Sequence, residues 1–281
     1  MIPDSSAATD WAASRGEKWR DQLAPMEATL APVDAPLIHA LQLDAPYRIA
    51  DIGCGGGGTS LHVLQSAPRG SVVHGFDISP ALIAVAHDRT SAGEAAIAFR
   101  VADMTRAPAP EVGYDRLVSR FGIMFFDDAP AAFHNIASWL VPGGQFAFAA
   151  WCNTDDNPWL TTVRDVVADI VTIPKVDRDA PGPFRYADAG VLVALLKNSG
   201  MRDVAVQDWR GALSIGGRLP AAQAAAFALA AFSSFSELLT DAGESAMSTA
   251  RTALTAKFSR HDSGGVVRLG ARVNIVTGAR A

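Results

Sequence analysis

The 281-residue sequence has no cluster of lysines or arginines, and its formal net charge is −5. A surface of that sign repels a phosphate backbone, so no nucleic-acid binding is expected. Long greasy runs are also missing. The most apolar stretch, Pro220 to Phe235, is dominated by alanine and interrupted by Gln223 and two serines. It is short for a bilayer span and reads as a buried or capping helix. The opening Met1-Ile2-Pro3-Asp4-Ser5-Ser6 lacks the basic and apolar regions of a secretory signal. No metal-ligand spacing is present, and only Cys54 and Cys152 carry thiols. No repeat or low-complexity linker divides the chain, which predicts one compact unit. With 49% hydrophobic residues the chain has enough apolar surface for a core.

Glycine, by contrast, is concentrated at one place. Tyr47 to Ser60 reads as a short buried strand, a glycine-rich turn and a helix start. Glycines at 53, 55 and 57 permit positive φ and bring backbone close to a ligand that a Cβ would block. The N–H groups of the following helix then face that ligand. The spacing fits two templates. Gly53, Gly55 and Gly58 match the dinucleotide pattern G-x-G-x-x-G, and Gly53, Gly55 and Gly57 match the tighter G-x-G-x-G of S-adenosylmethionine (SAM) enzymes. Both expect an acid about 20 residues on, and Asp77, closing the apolar run from Val72, supplies it.

The order of later elements separates the templates. Ile97 to Met104 is a third strand ending in a second acid, Asp103, and Tyr114 to Phe121 is a fourth. A helix with apolar face Phe133, Ile136, Ala137 and Leu140 follows, capped by Asp127 or Asp128. Pro142-Gly143-Gly144 stops it before a fifth strand, Gln145 to Trp151. This order resembles the class I SAM-dependent methyltransferases, especially bacterial small-molecule enzymes similar to the ubiquinone and menaquinone methyltransferases. The resemblance covers residues 45–152 and, less closely, 188–213. It implies an α/β fold: a doubly wound, Rossmann-like, seven-stranded sheet, mostly parallel, with an antiparallel last strand at Arg272 to Gly278 and a sixth at Val204 to Trp209. Strands one and four would flank the point where strand order reverses, where ligands bind in such sheets.

Carried over by position, the resemblance implies that Asp51 and the Gly53, Cys54, Gly55 and Gly57 backbone hold the methionine end of SAM. Asp77 would take the ribose hydroxyls and Ile78 the adenine face. Asp103, beside Met104, would accept from the adenine amino group, and Ser119 and Arg120 would lie along the methionine moiety. The same strand order puts Cys54 and Cys152 on either side of the fourth strand, roughly 9–10 Å apart. That is beyond disulfide reach, so reduced thiols and a cytoplasmic setting are expected.

Residues 9–30, with Trp11, Trp19, Leu23 and Met26 at near-helical spacing, read as an amphipathic helix, and the resemblance suggests that residues 1–45 form a lid. Residues 46–281 would form the SAM-binding domain, with cap insertions at about 153–187 and 216–262. Phe121, Met124 and Phe125 leave the fourth strand where an activated methyl group would sit. With Trp19, Trp151, Trp159 and Phe184 they are expected to line an apolar pocket for a small hydrophobic or aromatic acceptor. Methyl transfer from a sulfonium to O, N or C chiefly needs alignment and exclusion of water. A base is required only if the acceptor must lose a proton, and none is assigned; His39 is the leading histidine. His74 reads as structural. Two other functions fit the loop. An NAD(P)-dependent oxidoreductase is disfavoured because none of Tyr47, Tyr114 and Tyr186 has lysine four residues later. A SAM-binding cyclase or regulatory protein without methyl transfer stays open, as does a choice between monomer and homodimer.

Overall fold

A computed structural model describes residues 7–90, 96–175, 177 and 179–281. The hexapeptide examined for a leader therefore lies outside the described residues. Seven strands form one sheet: β1 (Arg48–Ile52), β2 (Val72–Asp77), β3 (Ile97–Val101), β4 (Tyr114–Arg120), β5 (Leu140–Trp151), β6 (Met201–Ser214) and β7 (Arg268–Arg280). Their spatial order is β3-β2-β1-β4-β5-β7-β6. Strands β1 to β5 pair in parallel, while β7 runs antiparallel to both β5 and β6. The expected doubly wound sheet with an antiparallel last strand is what the chain forms. Strands β1 and β4 are almost wholly buried, as a parallel sheet covered on both faces requires.

The crossover helices are α5 (Gly58–Ser66), α6 (Pro80–Asp88), α7 (Ala129–Trp139) and α9 (Ala189–Asn198). Ser79 caps α6, with Pro80 at its first position, and Asp128 caps α7 through a 2.9 Å bond from Ala131 N. Leu140 differs from expectation. It begins β5 opposite Tyr114 instead of ending α7, and the ladder resumes at Arg116–Gln145. The Pro142-Gly143-Gly144 turn is thus an irregularity in the fifth strand, with Gly143 at φ +75°. Strands β6 and β7 also run several residues past the expected ends, because they pair with each other along almost their whole length.

The N-terminal helical stretch is broken into α1 (Ala7–Ala12), α2 (Ser14–Asp21) and α3 (Leu23–Leu30), followed by α4 (Asp34–Ala40). The two insertions fold together. Helix α8 (Pro158–Ala168) belongs to the first; α10 (Ala221–Ala231), α11 (Ser233–Asp241) and α12 (Glu244–Ser259) form the second and pack on it. Helices α10 and α11 meet at 91° where one helix from 220 to 235 was expected. Phe232 at the bend stacks on Trp159, with centroids 5.4 Å apart. Among the described residues, no single helix is long and apolar enough to cross a membrane.

Candidate functional site

The glycine turn is built by backbone geometry. Gly53, Gly55 and Gly57 all have positive φ, at +69°, +55° and +82°. A Cβ at Gly53 would lie 2.7 Å from Gly122 Cα, so the β1 turn and the end of β4 interlock. Gly122 went unnoticed in the sequence because a lone glycine after a strand carries no pattern. A Cβ at Gly55 would meet nothing within 4 Å: this is the face left open toward the cavity. Asp77 Oδ2 accepts from Gly55 N at 2.8 Å and its Oδ1 from Ser79 N at 2.9 Å. These bonds tie the second-strand acid to the glycine turn. Burial nevertheless raises the Asp77 pKa above the usual carboxylate range.

Asp51 is 1% exposed. Its Oδ2 accepts from Ser60 Oγ at 2.6 Å, and its Oδ1 has no partner among the described residues. Burial, opposed by Ser60 and by the Arg120 charge, pushes its pKa up to about 7. A buried carboxylate oxygen without a donor is costly, and Asp51 is one of the residues on the cavity wall. It fits a ligand that brings its own cationic N–H donor.

One cavity of about 290 Å³ runs between the glycine turn, the N-terminal helices and the cap. Its wall gathers Asp51, Gly53, Cys54, Gly55, Asp77, Ile78, Asp103, Met104 and Arg120. Trp19, Phe121, Met124, Phe125, Trp151 and Trp159 line it as well. Three residues of the expected set are not on its wall. Gly57 is the N-cap of α5, where a Cβ would strike the Phe99 ring at 2.7 Å. Ser119 is fully buried and its hydroxyl donates to Ile52 O at 2.6 Å, so it braces β1 against β4. Phe184 is packed on the core beside the wall residue Pro183.

Two charged residues reach the wall with their bonds already made. Asp103 Oδ1 accepts from Thr105 N and Oγ1 at 2.9 and 2.7 Å, and Oδ2 pairs with Arg106. Arg120 donates to both oxygens of Asp34 at 2.9 Å. Asp34 also accepts from Thr59 Oγ1 and pairs with His62 Nδ1. This buried acid was invisible in the sequence, since nothing about a single aspartate in α4 points to an arginine 86 residues later. His39 is exposed, and among the described residues no histidine lines the cavity, so the catalytic base stays unassigned. His74 bonds Tyr114 Oη at 2.8 Å, a structural pairing, and burial holds its pKa below the usual imidazole value. Cys54 and Cys152 are both buried and free. Burial raises both thiols, Cys152 to about 11 and Cys54 well above the usual thiol value, which keeps them protonated.

Four aromatic rings on the wall form one continuous cluster. Phe121 lies on Trp151 with centroids 4.0 Å apart and planes within 5°. Trp151 meets Trp159 at 4.7 Å, and Trp159 meets Phe232. Phe121 adopts φ +65°, a left-handed conformation unusual for an aromatic residue. The tight Gly53–Gly122 contact next to it and its N–H bond to Ala149 O at 3.1 Å hold it there.

The N-terminal helices close over this cavity at several points. Ala7 N and Ala8 N donate to Asp127 at 2.8 and 2.9 Å, so Asp127 receives the start of α1 and leaves α7 to Asp128. Gly16 is buried so tightly that a Cβ would stand 2.2 Å from Ser79 Oγ. Glu27 takes two bonds from Arg89, which also donates to Gly56 O. Trp11 meets both Trp19 and Phe125 edge-on, and Lys18 pairs with Glu237 of the cap.

Residues 49–144 match the family described as a methyltransferase domain. Phosphoethanolamine N-methyltransferase 1 of Triticum aestivum is 31% identical over 123 residues, 43% of this chain and 24% of that protein. The chain thus spans about a quarter of the length of such relatives. An uncharacterized protein of Mycobacterium tuberculosis is 25% identical over 201 residues, 70% of each chain. The magnesium protoporphyrin IX methyltransferase of Synechocystis PCC 6803, solved with bound S-adenosylhomocysteine (SAH), superposes at TM-score 0.54 and 14% identity over 97% of both chains. That likeness is one of fold. The glycine turn with its Asp51 and Asp77 and the strand order agree with that match: residues 49–144 are similar to a methyltransferase domain.

Proposed function

We propose that this chain is a SAM-dependent methyltransferase whose acceptor is a small, apolar or aromatic metabolite. The observation that carries the reading is a single cavity whose wall carries two unlike groups: the open glycine turn with Asp51, and the aromatic rings of Phe121, Trp151, Trp159 and Phe232. SAM, when bound, supplies an activated methyl group on a cationic sulfur. Asp51 and the turn backbone would hold its amino-acid end, Asp77 its ribose hydroxyls, and Ile78, Asp103 and Met104 its adenine. Ser119 and Arg120 act behind these residues, bracing β1 and closing the Asp34 network.

The aromatic stack orients a flat acceptor and excludes water, and faces turned to a cationic sulfur add electrostatic attraction. Bringing nucleophile and methyl carbon into line provides most of the acceleration such a displacement needs. The helices α1 to α3 act as the lid that shuts the site.

Thermal unfolding with SAM, SAH, NADH and NADPH, each titrated alone, tests the cofactor. A ligand at 100 times its dissociation constant adds about 2.7 kcal/mol. Shifts with the SAM pair only, followed by SAH production with an apolar aromatic acceptor, are expected. A shift with a nicotinamide instead, or SAM binding with no SAH formed across broad acceptor classes, would overturn the reading.

A further inference from the structure

The charges on the cavity wall are almost all spoken for. Glu27 is paired with Arg89, Asp103 with Arg106 and Arg120 with Asp34, and Asp127 receives the start of α1. Asp51 and Asp77 belong to the glycine turn. Arg15 is the exception. It lines the cavity from α2, and among the described residues it has no carboxylate partner; its guanidinium carbon stands over the Trp11 ring, 5.8 Å from the centroid. Trp11 lines the cavity too, and its indole N–H is shut from solvent without an acceptor, whereas the indole N–H of Trp159 has Asn157 Oδ1 at 3.1 Å. Ser233 and Ser234, at the first turn of α11, are also on the wall.

A half-buried guanidinium in an aromatic-walled cavity is a strong and directional recogniser of carboxylate. A planar side chain beside it removes water and strengthens the attraction. From these residues we infer that the acceptor carries a carboxylate or an equivalent anionic oxygen group on its apolar body, and that Arg15 is the residue that selects it. This rests on the methyltransferase reading and narrows it, from any small aromatic to an aromatic acid. Arg15 is here a specificity residue: it touches the group that identifies the acceptor, not the atom that is methylated.

The test is calorimetric. SAH is first titrated into wild type, Arg15→Gln and Arg15→Lys, and then 1-naphthoate and its neutral twin 1-naphthamide are titrated into each SAH complex. Wild type should prefer the carboxylate by about tenfold or more, as one charge-assisted contact implies. Arg15→Gln should erase the preference, Arg15→Lys should keep part of it, and SAH affinity should be the same in all three. A wild type that binds SAH but shows no carboxylate preference, including binding of neither probe, refutes this inference and leaves the proposed function standing. A preference that survives Arg15→Gln also refutes it. SAH binding weakened severalfold in Arg15→Gln would assign the cation to the cofactor's own carboxylate, again against the inference. A wild type that fails to bind SAH at all removes the proposed function and this inference with it.

Discussion

Replacing Asp51 by asparagine keeps its shape and its bond with Ser60 while deleting the charge, and the consequences can be worked out from its surroundings. In the ligand-free fold, burial holds the Asp51 pKa at about 7 instead of 3.8. The carboxyl is therefore more easily protonated folded than unfolded. Its contribution to stability is fully present below about pH 4 and is lost as pH rises to about 7, and three units correspond to about 4 kcal/mol. On the proposed reading, a SAM ammonium at Asp51 reverses the preference, because it is held far more strongly by the charged carboxylate than by the neutral carboxyl. At pH 5 about 1% of the carboxyls are ionised and at pH 8 about 90%, so SAH affinity should rise nearly a hundredfold across that range, about 2.7 kcal/mol. In Asp51→Asn both slopes should vanish: the difference in unfolding free energy between wild type and variant should shrink from pH 4 to 7, and variant SAH affinity should be weak and flat. The assays are urea unfolding and calorimetry over the same pH series. Wild-type SAH affinity that is flat from pH 5 to 8, or an asparagine variant that binds as wild type does, would remove Asp51 from the cofactor site.

Two further outcomes follow from close contacts elsewhere. Gly16→Ala places a methyl group 2.2 Å from Ser79 Oγ and 2.4 Å from Trp11 O, so α2 must lift from the start of α6. Overpacking of this kind costs about 1–3 kcal/mol; hydrogen exchange of residues 7–30 should quicken and SAH should dissociate faster, and unchanged exchange would argue against a lid docked at this point. Asp34→Asn leaves Arg120 buried without its partner, a loss of about 3–5 kcal/mol in unfolding free energy. Removing both charges, in Asp34→Asn with Arg120→Met, should recover part of that loss in chemical denaturation, and a double variant as unstable as the sum of its parts would show the pair to be uncoupled.

Local and periodic features were readable from the chain. A turn with glycines at alternate positions, an acid closing the second strand and apolar runs of strand length each reflect a rule acting within a few residues, and the family resemblance they carry implies a sheet order that the structure has. The wall residues Asp51, Asp77, Asp103, Phe121 and Trp151 all sit at strand ends, where topology alone brings them together. Features that depend on long-range pairing were not readable. Asp34 meets Arg120 only because α4 folds back along β4. Gly122 matters because Gly53 touches it, and Arg15 stands out only after every other wall charge has found its partner. The single helix expected over 9–30 is broken at Ala13 and Gln22, and Pro25, which has no N–H to donate, stands in the first turn of the piece that follows.

The position of β7 sets the order in which the molecule can be assembled. It lies between β5 and β6, yet it leaves the ribosome after both, separated from β6 by the whole of α10 to α12. Until it arrives, β5 has one open edge and β6 has no partner on the side it will finally occupy. Each edge is a template for pairing with another chain, and the first of them ends at the wall residue Trp151. Strands β1 to β5 can pair before β7 is made, whereas β6 joins the sheet only through β7. Chaperone demand and misassembly should concentrate in that interval, and insertion of a single late strand ends it.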